Sequence, residues 1–116
     1  MPIPSGSGSE VLKISVFNAT DDTEQLLISG IADHIYSVLS VTVCETGNAA
    51  ETFEMYVADN AGATDYHYLK DQALGAKETF VWNERIVVSG TDQLIVKCPA
   101  TCAISITCSY IDQNWI

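Results

Sequence analysis

Val38-Leu39-Ser40-Val41-Thr42-Val43-Cys44 is a short apolar run, and Thr52-Phe53-Glu54-Met55-Tyr56-Val57 is another; a polar turn lies between them. The pattern then repeats. Tyr66-His67-Tyr68-Leu69, Thr79-Phe80-Val81-Trp82, Arg85-Ile86-Val87-Val88, Leu94-Ile95-Val96-Lys97 and Ala103-Ile104-Ser105-Ile106-Thr107-Cys108 follow, with Gly, Asn, Asp and Ser marking most of the gaps. Short β-rich runs at regular spacing, bounded by turn formers, are the sequence signature of a small sandwich or barrel.

Working outward, Val11-Leu12-Lys13-Ile14-Ser15-Val16-Phe17 is a first strand, with Leu12, Ile14 and Val16 on one face by period two. Glu24–Ser29 is a second, ending at Gly30, and Ile35–Cys44 reads as one long strand with room for a bulge. Phe53 and Met55 alternate with Glu54 and Tyr56, which gives the next strand one wet face. Asp71–Lys77 reads as a helical turn limited by Gly75. Asn83-Glu84 reads as a tight turn or bulge, and Pro99-Ala100-Thr101 as a hairpin loop between the last two strands. The expected fold is all-β: a single-domain antiparallel β-sandwich, jelly-roll-like, of about eight strands. Residues 1–10 form an extended N-terminal arm and residues 11–116 the sandwich domain.

Composition narrows the function. A chain of 116 residues makes one domain with one two-layer core. Fifteen acids against five scattered bases give a net charge of −10. Such a surface repels phosphate, so neither nucleic acid nor an anionic membrane is an expected partner. No apolar run approaches the ~20 residues that span a bilayer. Met1-Pro-Ile-Pro-Ser-Gly-Ser-Gly-Ser9 has no basic flank and no apolar segment, so it does not read as a secretory signal.

Motifs for chemistry are sparse. Cys98 and Cys102 are separated by three residues, not the two of redox sites and zinc knuckles. Cys108 continues the row Ile104, Ile106, and Cys98 the row Leu94, Val96, so the cysteines read as reduced core thiols. A disulfide pinching Cys98 to Cys102 is the alternative. His34 beside Asp33 and His67 near Asp65 assemble no recognisable triad. Asp21-Asp22-Thr23-Glu24 and Asp59…Asp65 are better explained by turns than by calcium. Tyr56, Tyr66, Tyr68 and Trp82 suit a sugar platform, but aromatics are favoured strand residues and suit ordinary strands better. The sequence therefore predicts no enzyme, no metal and no cofactor.

The span from about Gln25 to Asp112 resembles small β-sandwich virion proteins of tailed bacteriophages. The residues that carry the resemblance are His34-Ile35-Tyr36-Ser37-Val38, Val41-Thr42-Val43-Cys44-Glu45-Thr46-Gly47, Tyr66-His67-Tyr68-Leu69, Glu78-Thr79-Phe80-Val81, Ile86-Val87-Val88-Ser89-Gly90-Thr91-Asp92 and Ile104–Ile111. Thr91 separates Gly90 from Asp92, where the usual pattern has them adjacent. The resemblance implies a structural role, foremost as a capsid decoration or cement protein, otherwise as a neck or tail accessory protein. It implies the major capsid protein or other virion proteins as partners, a virion location after assembly in the bacterial cytoplasm, and a homo-oligomer, with a trimer as the leading number. A carbohydrate-binding attachment module is the reading from another class. The expected partner-binding groups are the apolar residues at the two ends: Met1, Pro2, Ile3 and Pro4 in the arm, and Trp115 and Ile116 in the tail. An extended arm of this kind can lie along an exposed strand edge of a neighbour.

Overall fold

A computed structural model describes residues 9–60 and 62–114. These residues form nine β-strands and no helix: β1 (Ser9–Ala19), β2 (Gln25–Ser29), β3 (His34–Glu45), β4 (Glu51–Asp59), β5 (Thr64–Leu74), β6 (Thr79–Trp82), β7 (Ile86–Ser89), β8 (Gln93–Lys97) and β9 (Ile104–Asn114). One sheet runs β1-β9-β3-β6, with β7 also on β3; the other runs β2-β8-β4-β5. Every pairing is antiparallel. β6 pairs with Val41–Cys44 and β7 with Ile35–Val38, so the two are one strand broken at residues 83–85, where the sequence reads a turn or bulge. Counted so, eight strands lie in two four-stranded sheets joined as Greek keys. That is the jelly roll.

Alternation builds the core. Val41, Val43, Ile104, Ile106 and Cys108 point inward from the first sheet, and Phe53, Met55, Leu94 and Val96 from the second. β3 is the expected long strand, with its register shift between Val38 and Ser40. β1 starts at Ser9, which pairs with Asn114, so Ser9 and Glu10 are strand rather than arm.

Four expectations are corrected. Asp71–Leu74 are not helical: β5 runs on to Leu74, and Asp71 takes a left-handed φ of 50° where the pairing with β4 shifts register. Short Asp side chains tolerate that conformation at a bulge. The loop after Lys97 is not a hairpin, because β8 and β9 lie in different sheets and the loop crosses between them. Cys98 and Cys102 are bridged, not free thiols. The crossing bends the chain back enough to bring their Cα atoms to 6.5 Å, within disulfide reach, which a plain strand continuation would not do. Finally, of the expected core thiols only Cys108 is buried and free; its burial pushes its pKa up to about 12. Cys44 faces outward, half-buried.

The loops at the Cys98 end are tied by Glu45, which is 1 % exposed. Its carboxylate accepts the backbone N–H groups of Gly47 (2.7 Å), Asn48 (2.8 Å) and Ala49 (3.3 Å) from the β3–β4 loop, and of Lys77 (3.0 Å) from the β5–β6 loop. The Lys77 N–H contributes most to holding this carboxyl below its ordinary pKa. At the other end Gly30 packs against the β7–β8 turn. A Cβ there would meet the Gly90 and Asp92 carbonyl oxygens at 2.1 and 2.3 Å, so only glycine fits.

Candidate interaction surface

β1 carries its aliphatic row on the outside. Phe17 and Ala19 point into the core, so Leu12, Ile14 and Val16 point out of the sandwich and are 74 %, 64 % and 65 % exposed. Pairing register extends this row across the sheet. Leu12 lies beside Ile111, Ser37 and Val87. Ile14 lies beside Ser109 and Ser40. Val16 lies beside Thr107, Thr42 and Val81, and Asn18 beside Ser105, Cys44 and Thr79. None of these four rows holds an Asp, Glu, Lys, Arg or His; exposed Glu84 and Arg85 stand at their rim, in the break between β6 and β7 opposite Leu39 and Ser40. Glu10 stands in the next row out, beside Gln113, to which it is hydrogen-bonded at 3.1 Å. The face has two aliphatic rails, β1 on one side and Val81 and Val87 on the other, with hydroxyl side chains between them.

The outer face of the second sheet is the reverse. Glu54 accepts Lys70 at 2.8 Å and has His67 at 3.6 Å. Desolvation raises the pKa of Glu54, but Lys70 and then His67 outweigh it and hold the group below its ordinary value. The Tyr56 hydroxyl donates to Glu24, and the Tyr56 ring lies 4.8 Å from that of His67. Tyr56, Ala58 and Ile95 are buried under this cover, with Leu26 against them. Burial first, and the Glu24 hydrogen bond second, raise the tyrosine pKa. The wet face expected of β4 is thus a second, sealed cluster. Beside it a cleft of about 370 Å³ is lined by Lys70, Lys97, Asp22, Asp71 and the Pro99–Ala100 turn.

A third polar group sits inside one end of the sandwich. Asp112, 6 % exposed, receives Lys13 at 2.8 Å and His34 at 2.6 Å. Desolvation raises its pKa, but these two partners together hold it below the ordinary carboxylate value. The partners of His34 and His67 are therefore Asp112 and Glu54, not the sequence neighbours Asp33 and Asp65. The four candidate platform aromatics do not share a face either. Tyr56 belongs to the outer cluster, while Tyr68 meets Trp82 of the other sheet at 5.8 Å. Among the described residues no group of three or more His, Cys, Asp or Glu is placed to hold a metal ion.

The expected partner-binding residues Met1, Pro2, Ile3, Pro4, Trp115 and Ile116 lie outside the described residues. The charge-free face was missed in the sequence, although a signal exists. Ser105, Thr107 and Ser109 alternate with the core row of β9 and mark a hydroxyl stripe with no charge in it.

No protein-family model matches the chain, and no curated protein resembles it significantly in sequence. Solved structures do share its fold. A chain of the T13 particle of infectious bursal disease virus superposes with a TM-score of 0.54 at 9 % identity, over 97 % of this chain and 36 % of that one. This chain spans about a third of that protein's length. A chain of the capsid of Helicobacter pylori bacteriophage KHP30 superposes with a TM-score of 0.52 at 11 % identity, over 90 % of this chain and 91 % of that one. A protein of Bacillus endospore appendages, which are disulfide-linked pili, gives 0.49 at 18 % identity over 100 % and 97 %. What is shared at these identities is the architecture: the chain is a jelly-roll β-sandwich.

Proposed function

We propose that this chain is a non-enzymatic structural protein of a bacteriophage virion, most specifically a capsid decoration or cement protein that binds and stabilises the head shell. The observation that carries the reading is the outer face of the β1-β9-β3-β6 sheet. It is broad, aliphatic and hydroxyl-lined, and it is not used by the protein's own core. A jelly roll with such a face is built to pack against other protein. The likeness in fold to the KHP30 capsid chain, nearly end to end in both chains, supports the same class. The partners are then the major capsid protein or other virion proteins, and copies of the chain itself. Residues 1–8, with Met1, Pro2, Ile3 and Pro4, are the proposed anchor on the shell, and Trp115 and Ile116 a second contact. A bridge such as Cys98–Cys102 is uncommon in proteins of a reducing cytoplasm, so the location rests on the virion reading alone.

The test is cosedimentation with bacteriophage head shells. Saturable binding that rises to a fixed ratio of chain to shell is expected. Removing residues 1–8 leaves β1 complete from Ser9 and is expected to weaken binding without unfolding the sandwich. Binding instead to tails, or to host glycans with none to shells, replaces the decoration reading with the accessory or attachment reading.

A further inference from the structure

We infer that the charge-free sheet face is a homotypic interface: two copies of the chain pack face to face through the outer side of β1, β9 and β3. The inference does not depend on a virion role. Three observations select a second copy over another partner.

Charge comes first. Each copy carries −10, so two copies repel wherever carboxylates face one another. The four rows from Leu12 to Asn18 hold no ionised group, so copies can meet there without opposing acids. The acidic clusters lie elsewhere, in the β1–β2 and β4–β5 loops and on the other sheet.

Chemistry comes second. Ser and Thr hydroxyls both donate and accept, so a stripe of them is complementary to itself. A stripe of carbonyl-only or ammonium-only groups would not be. The aliphatic rail of β1 stands beside the hydroxyl stripe, and a two-fold axis lays each copy's rail over the other's stripe. Sheets stacked in this way sit about 10 Å apart, the ordinary face-to-face distance.

Area comes third. β1 and β9 each run 11 residues. Over residues 12–18, at ~3.3 Å per residue and ~4.8 Å per strand with four strands abreast, the charge-free rows offer roughly 440 Å² in projection. Stable pairs bury about 800 Å² per partner. The charge-free rows are about half of that, the size of a small interface that pairs weakly rather than of an obligate one. An even-numbered assembly follows, in place of the trimer that the resemblance implies.

The experiment is sedimentation equilibrium of the full chain from 1 to 100 µM, a concentration range chosen on the order of ordinary pair affinities. A dimer is expected, held as firmly or more firmly at 0.5 M salt, since about 4 Å screening lengths then damp the residual repulsion. Ile14→Lys puts a charge at the centre of the face and should weaken pairing at least ~100-fold. Ser109→Lys, beside it on β9, should do the same. Both sites point to solvent in the single copy, so circular dichroism and melting at low concentration should match the parent. Alkylation of Cys44 should slow as concentration rises, and this protection should vanish in Ile14→Lys. Removing residues 1–8 should leave the dimer intact. A monomer at 100 µM, an odd-numbered oligomer, or an oligomer of any mass that survives both lysine variants overturns the inference.

Discussion

The two sheets of this sandwich treat their outer faces in opposite ways. On β4 and β5 the outside is closed by the protein itself: Tyr56 is buried beneath His67, Glu24 takes its hydroxyl, and Glu54 is paired with Lys70. On β1, β9 and β3 the outside is open, with aliphatic side chains in water and no charge in the four rows from Leu12 to Asn18. The difference teaches where stability ends and association begins. The closed face belongs to the folding unit. The open face costs the single copy exposed apolar area, which only another molecule can cover.

Mutation separates the two faces most sharply at their centres. Tyr56→Ala removes a side chain that is 2 % exposed and should cost about 3–5 kcal/mol, as large aromatic truncations do. Chemical denaturation reads it. A loss below about 1 kcal/mol would mean that the outer cluster is ornamental and the contrast false.

Next in size is the tie between the sheets. The Cys98–Cys102 bridge closes a short loop at the crossing from β8 to β9. Reduction should cost about 2 kcal/mol on the loop-entropy account, a drop of roughly 10 °C in melting temperature. Thiol titration after denaturation without reductant should count the two free cysteines, Cys44 and Cys108. Four would show that the crossing is held by packing alone.

Acid gives a smaller effect, which falls on buried or paired carboxylates and not on the open face. Glu45, Glu54 and Asp112 all have pKa values lowered by folding. A lowered carboxyl stabilises the fold fully above its unfolded value of about 4, and the contribution is lost as pH falls through the lower folded value. Melting temperature should therefore fall below about pH 4. Glu54→Gln should make that fall shallower, whereas Ile14→Lys should leave it parallel to the parent. Equal slopes in all three proteins would remove Glu54 from the account.

Smallest of all is the open face in the single copy. Ile14→Ala, measured below the concentration at which copies pair, should change stability by no more than about 0.5 kcal/mol. A larger loss would mean that the face supports the fold after all.

Most strands could be read in advance because period two is local. β6 is found at the residues expected, and β3 is the long bulged strand. The sequence ends this strand at Leu69 because Asp71–Lys77 reads as a helical turn, whereas pairing with β4 carries β5 through a bulge to Leu74. The polar sites were poorly legible for the opposite reason. Glu45 collects its N–H partners from two loops, and Asp112 meets Lys13 from 99 residues away. No local pattern marks either one.

β1 draws the line between the two kinds of information. The sequence alone set the alternation of Leu12, Ile14 and Val16 against Lys13, Ser15 and Phe17, and with it the fact of a strand with two unlike faces. It also set the all-β class, the charge and the hydroxyl row of β9. Which face of β1 looks inward was decided by tertiary pairing. Phe17 stands beside Ile106 and Ala19 beside Ile104, so that side is drawn into the core and the aliphatic row is turned out. A strand's own residues fix its period, but the strand that it pairs with, here some 90 residues along the chain, fixes its phase. The same holds for Cys98 and Cys102. Their spacing is sequence, but only the passage of the chain from one sheet to the other brings them within bonding reach.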